Sequence, residues 1–560
     1  MKQGVWPFIK QHRVECICFA VFIILAVIGF CVHEPSYDEA QAWMIAKTAT
    51  WKDLFFLIPF YEGHPPFWHL LLAGPARLGA SLPVTAGILG LILMLANGYL
   101  LFFKAPFPRW VRCLLPFNFF LFFQYGIIVR PYGLMCLLIL LLAMYFPQKD
   151  KRPGLFVGLL AALCACHLFG MAIAGGITLA WLWEMKDHRP WKTYLPALRK
   201  DKRFHWLLGL LGWTLLILAC IAIPRAGMHL RSAAPPLSIV RQAIYVLLAM
   251  PAEAVLTNID DSFQTTRRLI PWLPLLSTAA VGLVLWGAAL FCFPRKNWRY
   301  LVFPYLCMSI IMLRYSSCHH VGMVLILFIG YAWINLAQTP LDTSRWPQGG
   351  KRLAKAGLLL MLLLPAGWNF HSLYWDYKLV LYPGKEMVEF LKKYNLTDQT
   401  IFVAWVMKPT DKPDNYSFNT NAQPAGTLLG VYLDHNIFAN FHDGQKKSYI
   451  DNFCPSYEEM LKVLNHWRED LPVPTVLINR VPMDILYKNP DILNYYRLGF
   501  TQNEYQLWKF NPPKPNPQFI FLFYTLWDKY QDQLLEGVPP EQRLEILKQH
   551  EQYTLTNMVE

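Results

Sequence analysis

Charge is what this sequence has least of. Asp, Glu, Lys and Arg together make up 16% of its 560 residues, where soluble globular domains carry roughly 25%. With 55% hydrophobic and 15% aromatic residues, a single soluble domain of ordinary make-up is excluded, and the chain reads as a polytopic α-helical membrane protein. Its twelve cysteines contain no CxxC spacing, and most of them, such as Cys16, Cys18, Cys136, Cys164 and Cys220, lie inside apolar runs. Neither a disulfide framework nor a zinc site is indicated. There is no GxGxxG and no P-loop to bring in a nucleotide, and no internal repeat. The net charge of +14 does not argue for nucleic acid, because Lys and Arg sit mostly in short loops between apolar segments, where they orient helices in a bilayer.

What is present is a series of apolar runs. The basic start MKQGVWPFIKQHR leads into a run that ends at residue 32, about the length a spanning helix needs, and reads as an uncleaved anchor with a cytoplasmic N-terminus. Further runs lie near 66–80, 83–103, 110–127, 132–147, 154–184, 205–224, 269–293, 299–314, 320–337 and 354–370, for about 11–13 membrane segments in all. Basic clusters punctuate them: Lys104 with Arg109 and Arg112, then 148–152, 184–203, 294–299 and 344–355. If all five are cytoplasmic, one of the two runs within 66–103 does not cross, and 154–184 enters and returns.

That parity gathers the suspicious polar groups at the outer face: the stretch 33–69, Arg130 and Tyr132, His167, the loop 225–268, and the turn RYSSCHH at 314–320. The stretch 33–69 directly follows the first span and contains Asp38, Glu39, Glu62 and His64. Inside hydrocarbon a carboxylate costs several kcal/mol or turns neutral, so surface chemistry places it just outside.

Structural roles compete for each residue. Ser36 followed by Asp38 and Glu39 is also how a helix begins. Glu62 and His64 can simply order the loop before Pro65 and Pro66. A lone Arg130 at a helix end can snorkel, and a histidine such as His167 in an apolar run often packs helices. His319 and His320 would face different sides of any helix, so at most one is expected in a pocket. Cations and carboxylates converging on one leaflet from distant segments are nevertheless best explained by a shared pocket. Glu62, His64 and His69 make a poor ligand pattern, with two prolines between the histidines; no metal and no cofactor is expected.

Beyond Trp368 the apolar blocks shorten. KEMVEFLKKYNL (385–396) and SYEEMLKVLNHWRED (456–470) have helical spacing, while 400–405 and 474–480 look like buried strands. The expected organisation is a membrane module over 1–375, a soluble α/β domain over 376–510, and a proline-rich linker with an aromatic run and an amphipathic tail over 511–560.

The acidic pair Asp38–Glu39 after the first span, EGHPPFWHLLL at 62–72 and VRPYGL at 129–134 together resemble the dolichyl- or polyprenyl-phosphate-dependent glycosyltransferases of the membrane C-type superfamily, which include protein O-mannosyltransferases and lipid A aminoarabinose transferases. RYSSCHHVGMVLILFI (314–329) and PGKEMVEFLKKYNL look like the Arg/His-rich turn and the periplasmic-domain start of bacterial members. The resemblance implies a GT-C-like fold in a bacterial inner membrane with the active site and C-terminal domain facing the periplasm. It implies an inverting transfer of sugar from a polyprenyl-phosphate donor to a lipid, glycan or protein acceptor. Asp38 matches the general base, with Glu39 beside it. Arg130 and Arg314 suit the donor phosphate, assisted by His319, His320 or His167, and Glu62, His64 and Tyr132 line the pocket. A lipid phosphate already leaves readily, so the resemblance asks for no metal. A polyprenyl-linked glycan transporter or flippase is the main rival, though there is no inverted repeat and the ionisable groups cluster at one face. A non-catalytic scaffold is the other.

Overall fold

The computed structural model describes residues 9–62, 64–186, 190–222, 236–256, 272–313, 318–378 apart from 342 and 345, 384–393, 397, 401–407, 417–419, 424–433, 476–480, 496–506, 514–524 and 539–540. The chain is mostly helical. Among the described residues, seven helices are long and apolar enough to cross a membrane: Arg13–Val32, Leu82–Lys104, Pro131–Gln148, Leu168–Lys186, Lys202–Ile221, Ile239–Leu256 and Gln348–Lys378. Four shorter apolar helices, Pro153–Cys166, Thr278–Phe291, Arg299–Met312 and Gly322–Gln338, accompany them.

The first span, α1 (Arg13–Val32), carries Glu15 fully buried, with its carboxylate taken up by Arg112 at 2.6 Å and Arg109 at 3.2 Å. An acid inside an apolar helix is tolerated only when paired, and this pairing fixes the 109–114 segment against α1. After α1 the stretch expected as a loop is largely helical. Ser36 caps α2 (Tyr37–Thr48) through a complete capping box with Glu39. The next apolar run forms α3 (Phe67–Arg77), which at 11 residues is about 16 Å long and too short to span. It packs on α2, and Arg77 ties the two by donating to the Ala46 and Ala49 carbonyls at 3.0 and 2.6 Å. Of the two runs within 66–103, the first is thus the one too short to cross.

Two expectations need correction. The run 110–127 is not one helix. Pro116 removes a backbone donor, Asn118 caps the break by accepting from Phe120 N–H at 2.9 Å, and the remainder is a π-helical turn, Phe120–Ile127. The expected loop 225–268 contains the candidate span Ile239–Leu256, whose Arg241, Pro251 and Glu253 obscured its apolar character.

The run 154–184 does turn back. It breaks at His167, whose backbone is extended (φ −165°, ψ 155°), between α4 (Pro153–Cys166) and α5 (Leu168–Lys186). The ends of this hairpin meet: Lys149 pairs with Glu184 at 3.1 Å, and Asp150 accepts from Arg203 and from Trp181. Helix α6 (Arg299–Met312) lies along α5 so closely that a Cβ on Gly176 would fall 2.3 Å from the Pro304 backbone; glycine there is a packing requirement. Tyr300 at the start of α6 donates to Glu184 near the end of α5. Three of the basic clusters therefore sit at one end of the helices. At the other end α6 leads toward His319 and His320, before α7 (Gly322–Gln338).

The last candidate span among the described residues, α8 (Gln348–Lys378), returns to the stretch that follows α1. Its buried Asp376 accepts from His33 Nδ1 at 3.0 Å, while His33 Nε2 donates to Glu39 at 3.2 Å. Farther on, α9 (Pro424–Gly430) packs on α2, with Thr427 donating to Gln41 at 3.5 Å. Among the described residues, five strands follow the order β2-β1-β3-β5-β4: β1 (Ile401–Met407), β2 (Ser417–Asn419), β3 (Val476–Arg480), β4 (Tyr496–Gln506) and β5 (Lys514–Tyr524). Among the described strands, β1 and β3 pair in parallel, Ile401 opposite Val476, and the other pairs are antiparallel. Of the stretch 376–510, expected as a soluble α/β domain, the described residues include Gly384–Lys393, α9 and strands β1 to β4, which do not by themselves establish a separate domain; β5 lies beyond its expected end. The expected helix 456–470 lies outside the described residues.

Burial alone would discharge His33, but Asp376 and Glu39 outweigh it and hold its pKa well above 6.5. A raised folded value means the stabilisation is complete below about pH 6.5 and is lost as pH rises through the folded pKa. His33→Gln should lower stability by about 3–5 kcal/mol, as for any buried pair stripped of one partner. Thermal unfolding in detergent should show this, and the wild-type decline on the alkaline side should be missing in the variant; identical alkaline profiles would refute the bridge.

Candidate functional site

The site grows from the capping box of α2. The Glu39 side chain, 1% exposed, accepts from Ser36 N–H and Oγ–H at 2.8 Å each, from His33, and from Val129 N–H at 2.7 Å. Burial opposes its ionisation, but His33 and these donors prevail and its pKa is lowered. The Val129 bond brings the extended end of 128–130 against the start of α2, so the residues next to each anchor, Asp38 and Arg130, face one another. Arg130 Nη1 donates to Asp38 Oδ2 at 2.8 Å and lies 3.3 Å from His319 Nε2. Its guanidinium stands over Tyr132, 5.3 Å from the ring centroid.

Behind this pair is a wall of rings. His64 and His167 have centroids 4.1 Å apart, His319 and His320 4.2 Å, and Tyr132 lies 5.2, 5.7 and 6.0 Å from His167, His319 and His320. The helix break places His167 here. Phe169 N–H donates to its Nδ1 at 3.1 Å, which leaves Nε2 to meet the Tyr132 hydroxyl at 3.3 Å. Tyr125 donates to the His319 carbonyl and holds the turn. Glu62 accepts from Gln41 at 3.0 Å. His64 Nδ1 is buried without a hydrogen-bond partner.

Asp38 keeps 58% of its side chain open to solvent while protein surrounds it closely, the situation of a group in an open recess. Arg130 is the main cause holding its pKa below 3.8, against the effect of burial. Glu62 moves the opposite way, above 4.5, chiefly through burial and with Asp38 nearby. Burial, with Arg130 adding to it, pushes both His64 and His319 down to about 3. The two imidazoles are therefore neutral near pH 7, and Arg130 carries the positive charge beside Asp38. One carboxylate held ionised beside another that takes up protons more readily is the pattern of paired acid–base groups.

Of the residues expected in the pocket, Asp38, Arg130, Tyr132, His64, His167, His319 and His320 form one set of contacts. Both neighbouring histidines of the 319–320 turn reach it, where at most one was expected, because they lie in a short 3-10 turn. Glu39 stands beside the set with its carboxylate consumed by structure. Arg314 lies outside the described residues. Sequence reasoning missed His33, Gln41, Tyr125 and Asp376. Nothing local marks Asp376, 343 positions from His33. Among the described residues no three His, Cys, Asp or Glu side chains are placed to hold a metal ion.

Arg130→Gln should raise the Asp38 pKa. The protonated-carboxyl band in an infrared titration, assigned by its loss in Asp38→Asn, should appear at higher pH than in the wild type; coincident titrations would mean that Arg130 does not control this group. No protein-family model matches the chain, and no similar curated protein or solved structure was found.

Proposed function

We propose that this protein is a membrane glycosyltransferase that moves a sugar from a polyprenyl-phosphate donor to a lipid, glycan or protein acceptor, with inversion, at the outer face of a bacterial inner membrane. The observation that carries the reading is the Asp38–Arg130 pair at 2.8 Å, an ionised carboxylate and a fixed guanidinium in one recess, in the positions that the resemblance to the polyprenyl-phosphate glycosyltransferases assigns to base and phosphate holder.

The acceptor hydroxyl or amine attacks the anomeric carbon and its proton passes to Asp38. The bond from that carbon to the donor phosphate oxygen breaks, and the electron pair leaves with the lipid phosphate. Charge grows on the phosphate as it departs, so a cation already in place stabilises the transition state without reorganisation. Arg130 has five donors in a planar fork, so one arm can hold Asp38 while others take phosphate oxygens. The neutral imidazoles of His64 and His319 serve as hydrogen-bond groups for sugar or phosphate, at no charge cost to the site. Glu39 is a positioning residue: through Ser36 and Val129 it sets the spacing of base and cation. The C-terminal segment, an α/β domain in this reading, lies on the same side, where α9 meets α2.

Asp38→Asn keeps size and removes the base. Transfer of labelled sugar from polyprenyl-phosphate sugars into membranes should fall at least about a hundredfold at matched expression. Equal rates would make Asp38 structural, and movement of intact lipid-linked sugar across the bilayer without transfer would favour the transporter. The base acts only when ionised, so the wild-type rate should hold down to about pH 5, well above a pKa depressed below its ordinary range. The acid limb of Arg130→Gln should lie at higher pH; a wild-type limb near neutrality would identify a different base.

A further inference from the structure

At the end of the helices opposite Asp38, the protein has a second concentration of charge. α4 runs between the two regions, and its 14 residues put them about 21 Å apart along its axis. Here a cavity of about 850 Å³ is lined by Lys149, Lys186, Lys296 and Arg299, with Glu184 as its carboxylate and Trp183 among its walls. That volume lies in the range of small-molecule sites.

Among the described residues, Lys149 is held by Glu184 and by Asp150 at 3.1 Å each, and Glu184 takes the Tyr300 hydroxyl with its other oxygen. Arg299 Nε is buried with no hydrogen-bond partner, and its guanidinium lies 5.7 Å from the Trp183 ring centroid, with Lys186 Nζ at 5.9 Å from the same ring. A buried guanidinium donor without an acceptor is costly, and an anion seated among these cationic side chains would complete it.

We propose that this cavity binds a phosphate group, presented either by an anionic lipid headgroup or by a soluble phosphate ester. The planar fork of Arg299 suits phosphate oxygens, and the lysines add point charges around it. Trp183, 47% exposed near the end of a candidate span, is where an aromatic residue meets the headgroup layer, so a lipid can reach the cavity from the bilayer edge. The site stands whether or not Asp38 is a catalytic base, since no residue is shared.

The test uses the full-length protein in detergent. Native mass spectrometry measures retention of phosphatidic acid against phosphatidylcholine, and calorimetric titration measures binding of pyrophosphate. Lys296→Glu reverses an exposed charge with no packing to lose. Arg299→Gln removes the fork, and Arg299→Lys restores charge without it. Both removal variants should lower phosphatidic acid retention about tenfold with phosphatidylcholine unchanged, and Arg299→Lys should recover part of it. If the variants lose pyrophosphate binding instead, the phosphate is soluble and the site is still a phosphate site. Unchanged binding of both probes in Lys296→Glu and Arg299→Gln, with unaltered thermal unfolding, would overturn the proposal.

Discussion

The Glu39 carboxylate is the point on which the end of this protein that holds Asp38 and Arg130 depends. Its oxygens accept from Ser36, His33 and the Val129 amide, and His33 passes the connection on to Asp376 in the last candidate span. Three segments that are remote in sequence, 33–39, 128–130 and the end of α8, thereby share one buried charge network. Such networks are costly when partly satisfied and rigid when complete; here the charge of His33 is matched by acids on both sides. The Asp38–Arg130 pair is a geometric consequence, because each member adjoins a residue that the network has already fixed.

The second organising feature is the separation of two polar ends by apolar helices. Lys149, Glu184, Arg203 and Tyr300 converge at one end, and Asp38, Arg130 and the four histidines at the other. Both are set by the α4–α5 hairpin and by the close approach of α6 at Gly176. Irregular backbone occurs where it is enclosed by protein: the Pro116–Asn118 break, the π-helical Phe120–Ile127 and the extended His167. Backbone groups released at such breaks need partners within the protein in a membrane segment, and Asn118 and His167 supply them by accepting from Phe120 and Phe169 N–H.

Membrane character, the positions of most apolar helices and the convergence of charge on two ends were legible in the sequence. They follow from local composition and from the cost of charge in hydrocarbon, which act on each segment separately. That Glu15 needs a cation was legible, as an acid within an apolar run; that Arg109 and Arg112, 94 and 97 positions away, supply it was not. Ile239–Leu256 was not, since its Arg241 and Glu253 dilute a composition that tertiary burial tolerates. The division of labour between Asp38 and Glu39 was equally closed to sequence reading. Adjacent acids at a helix start are chemically alike, and only the partners each finds tell them apart.

By itself, the sequence determined that this chain is helical and apolar enough for a membrane, and which side chains were candidates for chemistry, because periodicity, hydropathy and side-chain type are properties of each stretch alone. Only the tertiary structure decided that Asp38 faces Arg130, that the Glu39 carboxylate is taken up by His33, Ser36 and Val129, and that both His319 and His320 join the ring wall. Those outcomes depend on hydrogen bonds and packing between residues from about 90 to over 340 positions apart, and no local pattern encodes which distant partner a buried polar group will meet.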